Sequence, residues 1–317
     1  MTGTVPSCGV MDGLVVVKKE AGWTSHDVVA RIRRLLGGIK VGHAGTLDPA
    51  ATGVLPMLVG KGTRIAEYLM EWDKEYRAVI RFGETTDTQD ATGVVLSRRS
   101  TEHVTAEMIR EAAGRFRGPL QQVPPMYSAV KVDGVPLYKS ARAGKTVDRV
   151  ARAVIVSELE VLEIQGRDVT IRVVCSKGTY VRTLCADFGT DLGVGAHLLS
   201  LERTRVGPMR LDQSLTVEEI ASRHALGRLG EDVWSLDRVL EDLPALVVDE
   251  PTASRVCHGV PVSVSRILRW EPGYDAWSKS ERPVRIHDTN GRLLAIGRWR
   301  SEAHESVAIK KMLIGQA

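Results

Sequence analysis

Apolar positions near the start of the chain predict a strand followed by a helix. Residues 13–19 form a short apolar run, as in a buried strand. In residues 24–38 the apolar side chains lie three or four positions apart. Thr24 or Ser25 can cap the start of this helix, and Gly37–Gly38 can end it.

Later segments repeat these two patterns. Residues 74–83 alternate strictly, with Tyr76 on the apolar face, which predicts a half-buried strand. Residues 108–116 have helical spacing. Residues 169–175 alternate, and residues 181–192 then take helical spacing, so this stretch predicts a strand, a turn and a helix whose free N–H groups favour anions.

The pattern changes from about Leu243. Short β-like runs follow, and Asn290–Gly291 is a strong hairpin signal. We therefore expect an α+β fold in which a mixed-sheet catalytic domain over residues 12–243 precedes a small β-rich domain over residues 244–317. Residues 1–11 are expected to form a disordered tail.

Composition is that of an ordinary soluble protein, with 43% hydrophobic and 26% charged residues. No apolar run approaches the roughly 18 residues that span a bilayer, and the N-terminus lacks the features of a secretory signal. The four cysteines are not at metal-ligand spacing. We expect a cytoplasmic protein without a membrane segment, in which Cys175 and Cys185 are small core residues.

A lone carboxylate stands out in residues 42–64, a stretch rich in glycine, proline and threonine that we expect to be a constrained loop. Asp48 is its only acidic residue. Asp48–Pro49 could simply begin a helix. Gly53 and Pro56 would end such a helix after about one turn, so the cap would support little.

Positive charge is concentrated in residues 123–152, which contain six lysines and arginines against two aspartates. This local excess of +4 equals the net charge of the whole chain. Such a segment suits a phosphate backbone, although a solvated basic face explains it equally well on charge alone.

Several other chemistries fail on their motifs. Leu55 and Gly62 break a P-loop around VGKGT, and Leu198 replaces the third glycine of a dinucleotide fingerprint. There is no H-E-x-x-H, no Cys or His cluster and no G-x-S-x-G. A glycosidase would want two carboxylates, and the loop supplies one. We expect neither a metal nor a cofactor.

Five ordered motifs resemble the TruB family of bacterial tRNA pseudouridine-55 synthases. They read GHAGTLDPAATGVLP, KEYRA, RFGETTDTQDATG, VPPMYSAVKVDGVPLYKSAR and CSKGTYVRTL…DLGVGAHLLSLERTRVG, and they run from about Asp12 to Gly207. The resemblance implies a pseudouridine synthase catalytic domain that turns a T-loop uridine of tRNA into pseudouridine without a cofactor. It also implies, more weakly, a PUA-like RNA-binding domain at the C-terminus.

The resemblance assigns catalytic roles to three residues. Asp48 matches the catalytic aspartate, and its carboxylate could attack C1′, attack C6 of the ring or remove a C2′ proton. Tyr76 matches the active-site tyrosine, although on its own it would pass for a core aromatic. Arg182 matches the arginine that pairs with the aspartate, although it lies next to apolar Val181 and could be an exposed helix charge.

The resemblance also assigns substrate contacts. Tyr180 and Leu201 match positions that line the base pocket, and His43 matches a substrate-contacting histidine. Arg64 stands where the family often has lysine, and either cation could contact phosphate. The basic segment 123–152 matches the insertion that clamps the T stem-loop.

Two other functions compete with a tRNA isomerase. A non-catalytic tRNA-binding or RNA-chaperone protein could use the basic segment alone, and a nucleoside hydrolase would also break a glycosidic bond. We expect tRNA as the partner, and the sequence gives no sign of an obligate protein partner.

Overall fold

The computed structural model describes residues 11–271, 282–300 and 305–314 of the chain. The expected N-terminal tail therefore lies outside the described residues, except for Met11.

The strands are β1 (Gly13–Lys19), β2 (Val41–His43), β3 (Thr52–Val59), β4 (Lys74–Phe82), β5 (Glu84–Thr86), β6 (Val95–Arg98), β7 (Gly118–Gln122), β8 (Lys131–Val132), β9 (Val135–Pro136), β10 (Arg152–Gln165), β11 (Asp168–Cys175), β12 (Ala196–Val206), β13 (Met209–Arg210), β14 (Ala245–Val248), β15 (Val262–Ser263), β16 (Ile267–Glu271), β17 (Pro283–His287), β18 (Leu293–Arg300) and β19 (Ser306–Met312). The helices are α1 (Ser25–Leu35), α2 (Ala66–Met70), α3 (Ala106–Arg115), α4 (Leu137–Arg142), α5 (Val181–Asp191), α6 (Val217–Ala225), α7 (Leu236–Val239) and α8 (Glu250–Cys257).

A nine-stranded mixed sheet organises the larger part of the molecule. Its order is β1-β3-β12-β4-β11-β10-β7, with β2 beside β3 and β13 beside β12. Strands β12 and β3 run parallel, and the other pairs are antiparallel. A six-stranded sheet, β15-β19-β18-β17-β14-β16, follows at the C-terminus. The α+β class with a mixed sheet and a smaller β-rich part is confirmed.

The predicted helices and strands of the catalytic part are confirmed where their periodicity was clear. Thr24 caps α1 in a capping box with Asp27, which satisfies N–H groups that would otherwise lack partners. Helix α5 packs on β12 and β4 and shares one apolar core with β11, in which Cys175 and Cys185 are fully buried. The expectation that both cysteines are core residues is therefore correct.

The expectation of a continuous loop over residues 42–64 is wrong, because β3 occupies residues 52–59 within it. Both faces of β3 are buried. Val54 and Leu58 point towards the C-terminal sheet, whereas Leu55 and Met57 pack with α1 and α6. A strand buried on both faces has no polar alternation, so the usual period-two signal is missing.

Pro56 is tolerated inside β3 because its nitrogen, which has no hydrogen to donate, points away from β1. In a strand the N and C=O of one residue point to the same side. The Pro56 carbonyl accepts a hydrogen bond from the Ala44 N–H in the segment after β2, so its nitrogen also faces that side and away from β1. The β1–β3 ladder therefore loses no donor at Pro56.

The C-terminal sheet contains the expected hairpin at Asn290–Gly291, between β17 and β18. This sheet is not isolated from the first one. Ile296 and Leu313 share an apolar cluster with Leu14 of β1 and Leu58 of β3. Strand β14 begins at Ala245, and the domain boundary between residues 243 and 244 stays a prediction.

Candidate active site

Asp48 lies in the turn between β2 and β3, and no helix begins there. Its carbonyl accepts a hydrogen bond from the Ala51 N–H at 3.1 Å, which closes a tight turn. The helix-cap alternative for Asp48–Pro49 is therefore wrong. Ser25, at the start of α1, holds the preceding residue: its Oγ accepts from the Leu47 N–H at 3.0 Å and donates to the Leu47 carbonyl at 3.2 Å.

Lys19, at the end of β1, holds the other side of this turn. Its side chain is fully buried, and its Nζ donates to the carbonyls of Glu20, Trp23 and Pro49 at 2.7–3.1 Å. Burial lowers the pKa of Lys19 to about 8 against the attraction of Asp48. Lys19 was not predicted as a site residue, because a lysine at the end of an apolar strand ordinarily marks the point where the strand reaches solvent.

Arg182, in the first turn of α5, reaches the Asp48 carboxylate from the opposite wall. Its Nε lies 3.0 Å from Asp48 Oδ2, and its Nη2 donates to Oδ1 at 3.3 Å. Only 7% of the Arg182 side chain is exposed. The alternative that Arg182 is an exposed helix charge is therefore wrong.

A second carboxylate, Asp90, completes the environment of Arg182. Arg182 Nη1 lies 3.3 Å from Asp90 Oδ2, and the guanidinium also donates to the carbonyls of Thr88 and Tyr127. The other oxygen, Asp90 Oδ1, accepts from the Thr88 and Thr92 hydroxyls and from the Thr92 N–H. Asp90 belongs to the motif RFGETTDTQDATG, and no role for it was predicted from the sequence, although an aspartate between two threonines is a signal for a folded-back loop.

The electrostatics of Asp48 reflect all of these neighbours. Although 42% of its side chain is open to the pocket, burial of the carboxyl raises its pKa. Arg182 and Lys19 pull this pKa down and Asp90 pushes it up, and the net result is a pKa above the ordinary aspartate value. Two carboxylates and two buried cations therefore balance one another beside the pocket.

A pocket opens where Asp48, Asp90 and Arg182 meet β12. Its remaining walls come from small or apolar residues of three segments: Ala50, Ala51, Ala91, Thr92, Leu198, Leu199, Ser200 and Leu201. The predicted lining position Leu201 is among them, whereas Tyr180 is not. Tyr180 instead caps α5 without a side-chain hydrogen bond, and its backbone N–H donates to Gln122 Oε1 at 2.7 Å.

Tyr76 lies in β4 opposite Arg203 of β12, within the electrostatic range of Asp48. It does not line the pocket. Burial raises the pKa of the Tyr76 phenol, so the hydroxyl keeps its proton at neutral pH.

The other two predicted substrate residues, His43 and Arg64, do not line the pocket. His43, at the end of β2, packs its ring against His26 with centroids 5.6 Å apart. Burial, together with His26 and Arg203, lowers the pKa of His43. Arg64 donates from Nη1 to the Met312 carbonyl in the C-terminal sheet at 2.5 Å, so in this structure it ties the short 3₁₀ helix after β3 to that sheet. Its contact with phosphate stays a prediction.

The basic segment 123–152 folds as the hairpin β8–β9 and helix α4. Its cations are mostly exposed. The segment adjoins the active site, because the Tyr127 carbonyl accepts from Arg182 at 2.9 Å.

Within the described ranges, no cluster of three or more His, Cys, Asp or Glu side chains could hold a metal ion. No helix in those same ranges is long and apolar enough to cross a membrane.

Comparison with known families decides the assignment. Residues 33–181 match the N-terminal domain of the TruB family pseudouridylate synthases, and residues 182–248 match the tRNA pseudouridylate synthase B C-terminal domain. The chain belongs to the TruB family. It is therefore a pseudouridine-forming isomerase.

Relatives in the TruB family resemble most of the chain. It is 43% identical to tRNA pseudouridine synthase B of Thermobifida fusca (strain YX) over 306 residues, covering 94% of this chain and 98% of that protein. It is 47% identical to tRNA pseudouridine synthase B of Geotalea uraniireducens (strain Rf4) over 250 residues, covering 79% of this chain and 81% of that one.

Solved structures agree with this assignment. A chain of a Cbf5–Nop10–Gar1 complex aligns with a TM-score of 0.76 at 28% identity, over 96% of this chain and 86% of that chain. A chain of an H/ACA RNP bound to a substrate RNA containing 2′-deoxyuridine aligns with a TM-score of 0.74 at 27% identity, with the same coverage. The expected pseudouridine synthase fold is confirmed.

Proposed function

We propose that this protein converts the uridine at position 55, in the T loop of tRNA, to pseudouridine, with Asp48 as the reacting carboxylate. The carrying observation is that Asp48 borders an open pocket while Arg182 holds both of its oxygens. The tRNA substrate is supported by the names of the relatives, which are tRNA pseudouridine synthases. A tRNA-modifying enzyme works in the cytoplasm of a bacterium, and we place the protein there.

The reaction breaks the C1′–N1 bond, turns the uracil and joins its C5 to C1′. The C5 proton must then leave. One carboxylate can assist by attack on C1′, by attack on C6 or by removal of a C2′ proton. Arg182 favours the ionised form of Asp48 against the effect of burial and aims it in each of these routes, because a charge-assisted pair fixes both oxygens while leaving lone pairs free.

The target base must leave its stack to reach Asp48. Leu201 and its neighbours on β12 offer an apolar wall for the uracil face, and Tyr76 lies below as a neutral phenol that can donate a proton or a hydrogen bond. Tyr180, His43 and Arg64 remain proposed contacts for the surrounding RNA. The exposed cations of residues 123–152 suit the phosphates of the T stem.

Asp90 must be weighed against the hydrolase alternative. It places a second carboxylate beside the pocket, whereas residues 42–64 supply only Asp48. Its two oxygens are already occupied by Arg182, by two hydroxyls and by a backbone N–H. A carboxylate so fully engaged is a poor general acid or base. Asp90 therefore orients Arg182, and the isomerase remains the better-supported function.

Product analysis tests the proposal. An unmodified tRNA transcript is incubated with the protein and digested to nucleosides. Pseudouridine at the T-loop position is expected, with none from a transcript that carries cytidine there. Free uracil would indicate a hydrolase, and unchanged RNA would indicate the non-catalytic binding protein; either result would refute the proposal.

A further inference from the structure

A buried arginine with no carboxylate among its hydrogen-bond partners lies beneath the Asp48 turn. Arg203 of β12 is 1% exposed. Its Nε donates to the Val54 carbonyl at 2.7 Å, its Nη2 to the Gly45 carbonyl at 3.0 Å and its Nη1 to the Thr46 carbonyl at 3.4 Å. These carbonyls lie on both sides of Asp48 along the chain.

Glycine permits this close approach at both ends of the turn. Gly53 pairs with Arg203 across the parallel β12–β3 ladder, and a Cβ at Gly53 would lie 2.2 Å from the Arg203 carbonyl oxygen. A Cβ at Gly45 would lie 3.4 Å from Arg203 Nη1. Both glycines have positive φ, +105° and +96°, so the chain bends around the guanidinium in a conformation that other residues rarely adopt.

Arg203 also lies opposite Tyr76 of the neighbouring strand β4, and its guanidinium acts to lower the pKa of the Tyr76 phenol against the larger effect of burial. A guanidinium can only donate hydrogen bonds, so beside Arg203 the Tyr76 oxygen is suited to accept and its O–H is left available as a donor. One planar group therefore binds both arms of the Asp48 turn and lies opposite Tyr76 on the neighbouring strand.

Stability alone does not account for an arginine here. Burying a cation without a counter-charge is costly, and an apolar residue of similar volume often serves a core better. What the guanidinium adds is a rigid fork that holds several acceptors in fixed relative positions.

We propose that Arg203 is a positioning residue for the isomerisation, which sets the Asp48 turn and the Tyr76 hydroxyl at a fixed distance from each other. This inference rests on the proposed function, because Arg203 can act on the chemical step only if the protein carries out the isomerisation. It assigns Arg203 no part in RNA binding. A lysine cannot reproduce it, since an ammonium offers its donors from one nitrogen, whereas Arg203 reaches the carbonyls of Val54, Thr46 and Gly45 from three separate nitrogens.

The test compares Arg203→Lys and Arg203→Met with the control Arg205→Met on the same strand. Arg205 donates to the Gly207 carbonyl and lies outside the catalytic machinery. For each folded variant, the single-turnover rate of pseudouridine formation is measured at saturating enzyme, and the tRNA dissociation constant is measured separately. We expect both Arg203 variants to lose at least about 30-fold in rate while the dissociation constant stays within about 3-fold, and Arg205→Met to match the wild type.

A double-mutant cycle adds a result that a purely structural role would not give. If Arg203 orients the Tyr76 hydroxyl, Arg203→Lys should slow a Tyr76→Phe enzyme much less than it slows the wild type. If the loss in rate of the double variant equals the product of the two single losses, that part of the inference is contradicted.

Arg203→Lys decides the matter if Arg203→Met does not fold. A folded Arg203→Lys enzyme within about 3-fold of the wild-type rate would overturn the inference, as would equal losses in rate and affinity. Failure of both variants to fold would also overturn it, because the role would then be stability. A wild type that forms no pseudouridine would instead refute the proposed function, so the two failures are distinguishable.

Discussion

The environment of Asp48 depends on side chains whose roles follow from their contacts in the fold and not from their residue type. Arg182 lies next to apolar Val181 on α5 and has the sequence context of a surface charge. In the fold, the first turn of α5 faces the Asp48 turn, and Arg182 joins Asp48 to Asp90.

Asp48→Asn should fold and bind tRNA but lose at least about 100-fold in single-turnover rate. Asparagine keeps the shape of the side chain but carries neither the charge nor the nucleophilic oxygen. Asp212→Asn, at an exposed position in a short 3₁₀ helix, is the matched control and should behave as the wild type. Product formation by Asp48→Asn at the wild-type rate would remove Asp48 from the mechanism.

The single-turnover rate should fall at alkaline pH because Lys19 loses its charge there. Since the pKa of Lys19 lies at about 8, raising the pH above that value removes both its charge beside Asp48 and one N–H from a group that serves three carbonyls. We expect the single-turnover rate to fall there. Tyr76 should not contribute, because burial raises its pKa.

Stability should move in the opposite direction over the same range. The folded pKa of about 8 lies below the ordinary 10.5, so the unfolded chain binds more protons between these values and this group stabilises the fold as the pH rises. Loss of folded protein through titration of Lys19 therefore cannot explain the fall in rate at alkaline pH. Rates and melting temperatures measured in the same buffers check this, and a flat rate above pH 8 would show that the charge on Lys19 does not matter.

Elements with clear periodicity could be predicted, and β3 could not. Helix α1 and strand β4 each have one buried face, which leaves a period in the sequence. Strand β3 has two buried faces and contains Gly53 and Pro56, two residues that ordinarily mark loops. The resemblance to the TruB family supplied Asp48, Tyr76 and Arg182, whereas Lys19 and Arg203 depend on long-range contacts that no local pattern encodes.

The close approach of β3 to β12 predicts a large cost for Gly53→Ala. Gly118→Ala is the control, because Gly118 also has a positive φ of +90°, but a Cβ added there would meet no heavy atom within 4 Å. Backbone strain alone should cost Gly118→Ala about 1–3 kcal/mol. Gly53→Ala should cost at least about 2 kcal/mol more, since the sheet must open around the new methyl group. Urea unfolding measures both, and equal costs would contradict the packing argument.

At the scale of the whole molecule, the two sheets are joined by contacts that reach the catalytic part. Leu313 and Ile296 pack against β1 and β3, Lys311 lies 2.8 Å from Glu67, and Arg285 and His287 both bond Asp237 of α7. Because β3 also leads out of the Asp48 turn, the C-terminal sheet packs against the strand that carries one end of this turn.

The shared cluster predicts that the described parts unfold together. Leu313→Ala should cost about 2–4 kcal/mol and lower the temperature of a single calorimetric transition. Leu268→Ala is the control, since Leu268 is 60% exposed on the same sheet, and it should change stability by less than about 0.5 kcal/mol. Two transitions, of which only one moves with Leu313→Ala, would indicate independent domains.

Release of tritium from C5 of the target uridine tests the central claim most directly. The carbon that loses its hydrogen is the one that becomes joined to ribose, so release reports isomerisation itself. We predict rapid single-turnover release from a folded T stem-loop labelled at that one uridine, and slow release from an unstructured RNA of the same composition, which must also be ordered on binding. No release from the folded stem-loop would contradict the assignment of this chain as a T-loop isomerase, and equal rates from the two RNAs would contradict its recognition of the folded loop.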